Sequence, residues 1–311
     1  MLDLIIVGGG PAGASAGVYA ARKRLKTVLV VKEWGGQSSV SSEIQNWIGT
    51  PVISGRDLAE NLRKHVESYA GDSLSIVFPE EAVSFTQDKE KVTVALESGR
   101  IYEAGSLLLA PGATRRKLEI PGAIEYDQKG LTYCATCDGP LFEGKDVAVI
   151  GGGNAAFETS AQLLAYCKTV TLLIRSGAFR ADEIIVRAVL AHPNIRVIKN
   201  AIPTEVIGGK FVTGLKWKNP AGTEDILPVE GIFVEIGLLP NTSWLKDSII
   251  LNKIGQIIVD PLTQRAGVIG SGNSRVWAAG DCTNGKYHQN NIASGDAVKA
   301  VEDIYSFLRM N

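Results

Sequence analysis

Leu4-Ile5-Ile6-Val7-Gly8-Gly9-Gly10-Pro11-Ala12-Gly13 is an apolar run that breaks into glycines, continues into the small residues Ala14-Ser15-Ala16-Gly17 and closes on Arg22-Lys23. The order is strand, turn, helix, and it meets the demands of a dinucleotide site. Gly8 permits the tight turn, Gly10 lets a pyrophosphate meet bare backbone at a helix N-terminus, and Gly13 lets that helix press on the strand. Thr27-Val28-Leu29-Val30-Val31 supplies the second strand. Glu33 is the candidate acid for a ribose, expected about 20 residues beyond the glycines, although Lys32 is its neighbour.

A single glycine turn is a common feature, but this one recurs. Asp146-Val147-Ala148-Val149-Ile150 runs into Gly151-Gly152-Gly153-Asn154-Ala155-Ala156, then a helical stretch from Phe157 to Tyr166 and a strand from Thr169 to Ile174. Ala156 stands where the last glycine would be, and a methyl still permits close helix-strand packing. Each copy continues into an alternating antiparallel meander, 91–106 and 212–227, which feeds an apolar strand, Leu107-Leu108-Leu109-Ala110 in one and Gly231 to Gly237 in the other. Two successive copies imply two dinucleotide pockets. The fold class expected is α/β, with two Rossmann-like, three-layer ββα dinucleotide-binding domains.

The end of the chain sets their order. Ser274 to Cys282 reads as a further strand ending in Gly280-Asp281, and Gln289-Asn290-Asn291 opens a final helix. An Asp at a strand end suits a ribityl hydroxyl, and a helix N-terminus suits the electron-rich edge of a flavin. The tail is therefore expected to return to the first domain, with the second inserted in it: 1–115 and 245–311 for FAD, 116–244 for a nicotinamide nucleotide and a dithiol.

That dithiol is Thr132-Tyr133-Cys134-Ala135-Thr136-Cys137-Asp138-Gly139-Pro140. Two cysteines separated by two residues close a small disulfide ring, and Asp138 places a proton donor beside the sulfurs if burial raises its pKa. Asp before Gly is also a common turn pair, so a purely capping role for Asp138 stands beside the catalytic one. A tetrahedral zinc site needs two more close ligands. Cys167 and Cys282 are isolated, and His65, His192 and His288 are scattered, so redox use is favoured and no metal is expected. Two nucleotide pockets beside a dithiol read as an electron relay.

Composition narrows the class. With 311 residues, 45% of them hydrophobic and 21% charged, and a net charge of -1, the chain has length for two cores and no basic face for nucleic acid. The first residues lack the pattern of a signal peptide and no run reaches membrane-spanning length, so a soluble, cytoplasmic protein is expected, where a close cysteine pair is more plausibly a cycling dithiol than a staple.

Gly8 to Gly13, Gly35-Gly36-Gln37 with Asn46-Trp47, Cys134 to Asp138, and Ala279-Gly280-Asp281 occur in this order and resemble the low-molecular-weight thioredoxin reductases of bacteria and archaea, over nearly the whole chain. The resemblance implies FAD on Gly8, Gly10, Pro11, Ala12, Gly13, Glu33, Gly36, Gln37, Asn46, Val83, Gly112, Gly280, Asp281, His288, Gln289 and Asn290. It implies NAD(P)H on Gly151, Gly153, Asn154, Ala155, Ala156 and the Ile236-Gly237 turn. It further implies that Cys137 receives electrons from the flavin, that Cys134 attacks a thioredoxin-like partner, that Asp138 exchanges the protons, and that the protein is a homodimer. The inserted domain would swing about Arg115-Arg116-Lys117 and Pro240-Asn241-Thr242.

Several positions depart from the family pattern. NADPH-dependent members carry His-Arg-Arg-x-x-x-Arg where this chain has Ile174-Arg175-Ser176-Gly177-Ala178-Phe179-Arg180. Arg175 and Arg180 favour NADPH, and the lost arginine leaves NADH open as donor. His288 stands where an arginine is usual, and Cys282 reads as a buried filler. Other readings are a ferredoxin-driven reductase, a dithiol oxidase, a peroxiredoxin reductase and a flavin redox sensor without turnover. The intact Gly151 to Ala156 loop speaks against the first. The lack of an attached thioredoxin-like domain before Met1 speaks against a fused peroxide reductase, and a second nucleotide site is superfluous in a sensor.

Overall fold

The computed structural model describes residues 1–41 and 44–310. The chain forms two compact units, one comprising Met1–Ser42, Trp47–Thr114 and Leu239–Asn311, the other Glu43–Asn46 and Arg115–Leu238. The elements in order are β1 (Leu2–Gly9), α1 (Pro11–Arg22), β2 (Thr27–Trp34), α2 (Gly55–Glu67), β3 (Leu74–Val77), β4 (Ala82–Gln87), β5 (Val92–Leu96), β6 (Ile101–Leu109) and β7 (Ala113–Arg115). Next come β8 (Leu131–Thr132), α3 (Ala135–Asp138), β9 (Asp146–Ile150), α4 (Asn154–Leu163), β10 (Thr169–Ile174), α5 (Glu183–Leu190), β11 (Ile195–Lys199), β12 (Ile202–Gly208), β13 (Val212–Lys218), β14 (Glu224–Pro228) and β15 (Gly231–Val234). The chain ends with β16 (Leu238–Pro240), β17 (Val276–Ala278) and α6 (Asn290–Met310).

In the first unit the sheet runs β3-β2-β1-β6-β5-β4, with β17 paired to β6. β1 pairs in parallel with both β2 and β6. Its side chains alternate, as a strand buried on both faces requires. Leu4 and Ile6 turn toward α1 and α6, where Ala12, Ala16, Ala20, Ala293, Ala297 and Ala300 let the two helices lie close to the sheet and to each other. Ile5 and Val7 turn the other way, into a core with Phe85, Val92, Val94 and Ile249. Each of these fully buried branched side chains contributes about 1.5–3 kcal/mol. A Cβ on Gly13 would lie 1.8 Å from the Gly8 carbonyl oxygen, so the helix-strand approach needs glycine there.

The second unit repeats the plan. Its parallel sheet is β11-β10-β9-β15-β8, and β12-β13-β14 form a separate antiparallel sheet. Val147, Val149 and Phe233 face α4 and α5. Ala148, Ile150, Ile232 and Val234 face the meander through Val206, Val212 and Leu215. Three layers, helix, sheet and meander, are thus built twice. The copies differ in one respect. The strand expected at Leu107 to Ala110 after a separate meander is instead one strand, β6, from Ile101 to Leu109, shared by meander and parallel sheet. Buried residues continue unbroken from Ala104 through Leu109, which leaves no point at which the strand would end.

The return to the first unit falls at Leu239, ahead of the expected residue 245. Asn241 explains this: its N–H donates to the Gly112 carbonyl (3.0 Å) and its Nδ2 to the Pro111 carbonyl (2.9 Å), tying the segment down early.

Candidate active site

In each parallel sheet the strand order reverses beside the first strand, between β1 and β6 and between β9 and β15, and open α/β sheets bind ligands at that reversal. Both reversals carry a glycine loop. In the first unit Gly10 caps α1 with no side-chain hydrogen bond and no acid in the first turn, so the helix N–H groups are open to an anion. Opposite, Gly36 has φ 61° and lies so near Gly10 that a Cβ on either would meet the other's Cα at 3.6–3.9 Å. The two bare backbones make a cradle that side chains would fill, which fits a pyrophosphate group.

Around this cradle Gln37 Nε2 donates to Asp281 Oδ2 (3.1 Å), Ser38 Oγ donates to Asn290 Oδ1 (2.8 Å), and His288 Nδ1 lies 3.5 Å from Asp281 Oδ1. Gly112 and Gly280 both hold positive φ, and Glu33 and Val83 are exposed. The fold therefore brings Gly10 beside Gly36, Gln37 and His288 to Asp281, and Ser38 to Asn290, whereas Asn46 lies in the short segment that belongs to the second unit. Cys282, directly after Asp281, is fully buried, and burial pushes its thiol up to about 12, as befits a core residue. Cys167, also buried, is pushed up to about 11 for the same reason.

The second cradle is built by Gly151, whose φ of 153° only glycine tolerates, and by Gly153, which caps α4 without side-chain help. Sequence reasoning missed its clamp. Asn154 Nδ2 donates to Asp182 Oδ2 (3.1 Å), the Asp182 N–H donates to Asn154 Oδ1 (2.8 Å), and the Arg180 N–H donates to the Gly152 carbonyl (2.8 Å). This lays the 175–180 loop along the glycine turn, with the Arg175 and Arg180 side chains exposed beside it. Ala155 is exposed and Ala156 fully buried, so the latter serves packing. Ile236 is half-buried and Gly237 exposed, beyond the end of β15.

β8 ends at the same edge. Cys134 and Cys137 form a disulfide with Cα atoms 5.3 Å apart, and the Cys137 N–H donates to Cys134 Sγ (3.2 Å), so the sulfur caps α3. The ring is held from behind by Gln162 on α4, which accepts from Thr136 Oγ1 (3.2 Å) and donates to the Ala135 carbonyl (3.4 Å). Both cysteines are half-buried, whereas Asp138 is 6% exposed. Thr132 donates its hydroxyl to Asp138 Oδ2, and Oδ1 is buried with no hydrogen-bond partner among the described residues.

Burial is the chief influence on Asp138 and pushes its carboxyl above the ordinary range; the Thr132 hydroxyl and the Arg115 charge oppose it. A turn-capping Asp would have its oxygens on backbone N–H groups, which this one does not. Because the folded-state pKa is raised, the stability this group contributes is full below the unfolded carboxylate value and is lost as pH rises through the folded one. Asp138→Asn is therefore expected to gain stability at neutral pH relative to the parent and to flatten that loss, as read from denaturant midpoints at about pH 4 and about pH 8.

A nucleotide cradle at each sheet reversal and a disulfide with a buried acid at the second define a nucleotide-linked disulfide oxidoreductase. Residues 2–297 match the model of the pyridine nucleotide-disulphide oxidoreductases, and the chain belongs to that family, which implies FAD and a pyridine nucleotide as redox carriers. It is 37% identical over 312 residues to an NADH dehydrogenase of Bacillus subtilis (strain 168), and 38% identical over 310 residues to one subunit of an alkyl hydroperoxide reductase of Staphylococcus aureus (strain NCTC 8325 / PS 47). Each alignment takes in 99% of this chain, which spans only 59% of the length of either relative. Among solved structures it resembles a thioredoxin reductase from Giardia duodenalis, with a TM-score of 0.91, 31% identity and 99% of both chains covered. Among the described residues no helix is long and apolar enough to cross a membrane.

Proposed function

We propose that this protein is an NAD(P)H-dependent reductase of a thioredoxin-like protein's disulfide. The observation that carries the reading is the Cys134–Cys137 disulfide at the carboxyl edge of a nucleotide-type sheet, backed by the buried acid Asp138. The likeness to a thioredoxin reductase of solved structure supports it, since that chain and this one cover each other almost end to end.

When bound, FAD supplies a carrier that accepts hydride from the nicotinamide and passes two electrons to a disulfide. The chain's own residues do the rest. The first cradle, Gly8, Gly10, Pro11, Ala12 and Gly13 with Gly36 and Gln37, holds the pyrophosphate, and Gly112, Gly280, Asp281 and the segment His288-Gln289-Asn290 hold the isoalloxazine end; Glu33, Asn46 and Val83 serve the remainder. The second cradle, from Gly151 to Ala156 with the Ile236-Gly237 turn, holds NAD(P)H. Arg175 and Arg180, exposed at the loop, favour NADPH, and NADH is accepted.

Reduction breaks the Cys134–Cys137 bond, places two electrons on the sulfurs and calls for protons, one of which Asp138 gives. The Cys134 thiolate then attacks the partner's disulfide, releasing one partner thiol, and Cys137 displaces the second as the ring re-forms. Movement at Arg115-Arg116-Lys117 and Pro240-Asn241-Thr242 alternates access of nucleotide and partner, and the working form is a cytoplasmic homodimer. A second reading, reduction of a peroxiredoxin-type partner, draws on the likeness to the alkyl hydroperoxide reductase.

One titration tests both readings. The anaerobic yellow protein is expected to bleach with one equivalent of NADPH or, more weakly, of NADH, and to recolour on adding thioredoxin disulfide. Recolouring only by an oxidised peroxiredoxin module would favour the second reading, and bleaching by neither nucleotide would remove both.

A further inference from the structure

One half-buried carboxyl has no task in the electron relay. Glu235 follows the last residue of β15, and β15 lies between β9, which ends in the glycine loop, and β8, which ends in the dithiol. The register fixes its place: Val234 pairs with Ile150 and Phe233 with Thr132, and the Glu235 N–H donates to the Ile150 carbonyl at 2.8 Å. Its carboxyl turns inward, where Thr159 on α4 donates to Oε1 at 2.9 Å, and Thr159 is its one side-chain hydrogen-bond partner among the described residues.

A dinucleotide crossing the reversal between β9 and β15 is divided by it. Its diphosphate lies on the Gly151 to Gly153 turn and the adenosine half runs toward β10, where Arg175 and Arg180 stand. The other half must pass over β15 toward β8 and the cysteines. Glu235 is an acidic residue at that step, at the end of β15. Loss of hydride turns the nicotinamide from a neutral ring into a pyridinium cation, and a carboxylate beneath it favours the cation.

We propose that Glu235 is a positioning residue whose carboxylate complements the oxidised nicotinamide ring, favouring departure of the hydride. This deepens the reading of the second unit as the pyridine-nucleotide unit and rests on it. Hydride and its two electrons leave the ring for the flavin, and the positive charge left on the ring is balanced by Glu235.

Other groups act on this carboxyl. Burial is the strongest influence and raises its pKa; Arg115 on β7, which also acts on Asp138 of α3, lowers it, and Glu158 on α4 raises it. Thr159, also on α4, donates the hydrogen bond that lowers it. Burial thus makes Glu235 lose its charge on acidification at a higher pH than an exposed carboxylate would.

The test compares binding of NADP+ and of 1,4,5,6-tetrahydro-NADP, whose ring is neutral and cannot give hydride, to the FAD-loaded protein by calorimetry. Glu235→Gln keeps the shape and the acceptor for Thr159 and removes the charge. NADP+ is expected to bind about fivefold to tenfold more weakly to the variant, with the neutral-ring nucleotide unchanged to within about twofold. The ratio of the two affinities is expected to fall on acidification in the parent and to stay level in the variant. Equal weakening of both nucleotides, or of neither, overturns the role of Glu235 while leaving the function standing. Failure of the parent itself to bind either one overturns the function and this inference together.

Discussion

Cys137→Ser is expected to abolish turnover of thioredoxin disulfide, by at least about a thousandfold, while the flavin is still bleached by nucleotide at the parental rate. A serine cannot re-form the ring, so the catalytic cycle has no way to release a captured partner. The fold is not at stake in this variant. Cys134 Sγ remains the cap of α3, accepting from the N–H of residue 137, and Gln162 still holds Thr136 and Ala135. Cys134 in the variant is a free thiol, so an oxidised partner should be trapped as a mixed disulfide, visible as a mass shift that a reductant reverses. Cys134→Ser should lose turnover equally and trap nothing, if Cys134 is the attacking thiol. Turnover surviving in both single variants would refute the dithiol assignment.

Gly13→Val is expected to yield protein that is colourless and destabilised by more than about 3 kcal/mol, if it folds at all. The added Cβ would lie 1.8 Å from the Gly8 oxygen and 2.7 Å from its carbonyl carbon, both backbone atoms of the turn that α1 rests on. Neither can give way without moving β1 against β2 and β6. Gly153→Ala is the informative partner experiment. Its φ of -100° suits any residue and no atom lies within 4 Å of the new Cβ, so the fold has room for it. That methyl would stand in the second cradle, so nucleotide affinity should fall with the melting temperature kept within about 2 °C. Parental melting temperature and flavin content in Gly13→Val would show that the close approach of helix to strand is not needed.

Much of the fold was legible because its signals are local. Glycine loops mark where backbone must approach backbone, and Leu4 to Val7 and Val147 to Ile150 announce strands buried on both faces. The repeat of these signals at 146–174 predicted a second unit of the same plan, and the sheets β3-β2-β1-β6 and β11-β10-β9-β15 have it. The unbroken β6 was not foreseen, because the alternation at 91–106 says where side chains point and not whether a strand continues across the sheet. The early return at Leu239 depends on Asn241 reaching Pro111 and Gly112, a pairing across more than a hundred residues that no periodicity records.

The same division runs through the candidate site. Cys134, Cys137 and the glycine turns are readable from the chain because covalent reach and backbone freedom depend on near neighbours. What Asp138 can do depends on the closure of the fold over it: a common Asp-Gly pair becomes a buried acid with one oxygen on Thr132 and the other unpartnered among the described residues. Glu235 carries no signal at all in sequence, since an acid after an apolar strand is ordinary. It becomes a candidate only because β15 is set between β9, which ends in a nucleotide loop, and β8, which ends in the disulfide, and because its carboxyl accepts from Thr159 on α4. Sequence alone determined that there are two nucleotide-type units and a dithiol, through short-range sterics; the tertiary structure decided which polar groups face the chemistry, because desolvation and charge are set by residues far apart in the chain.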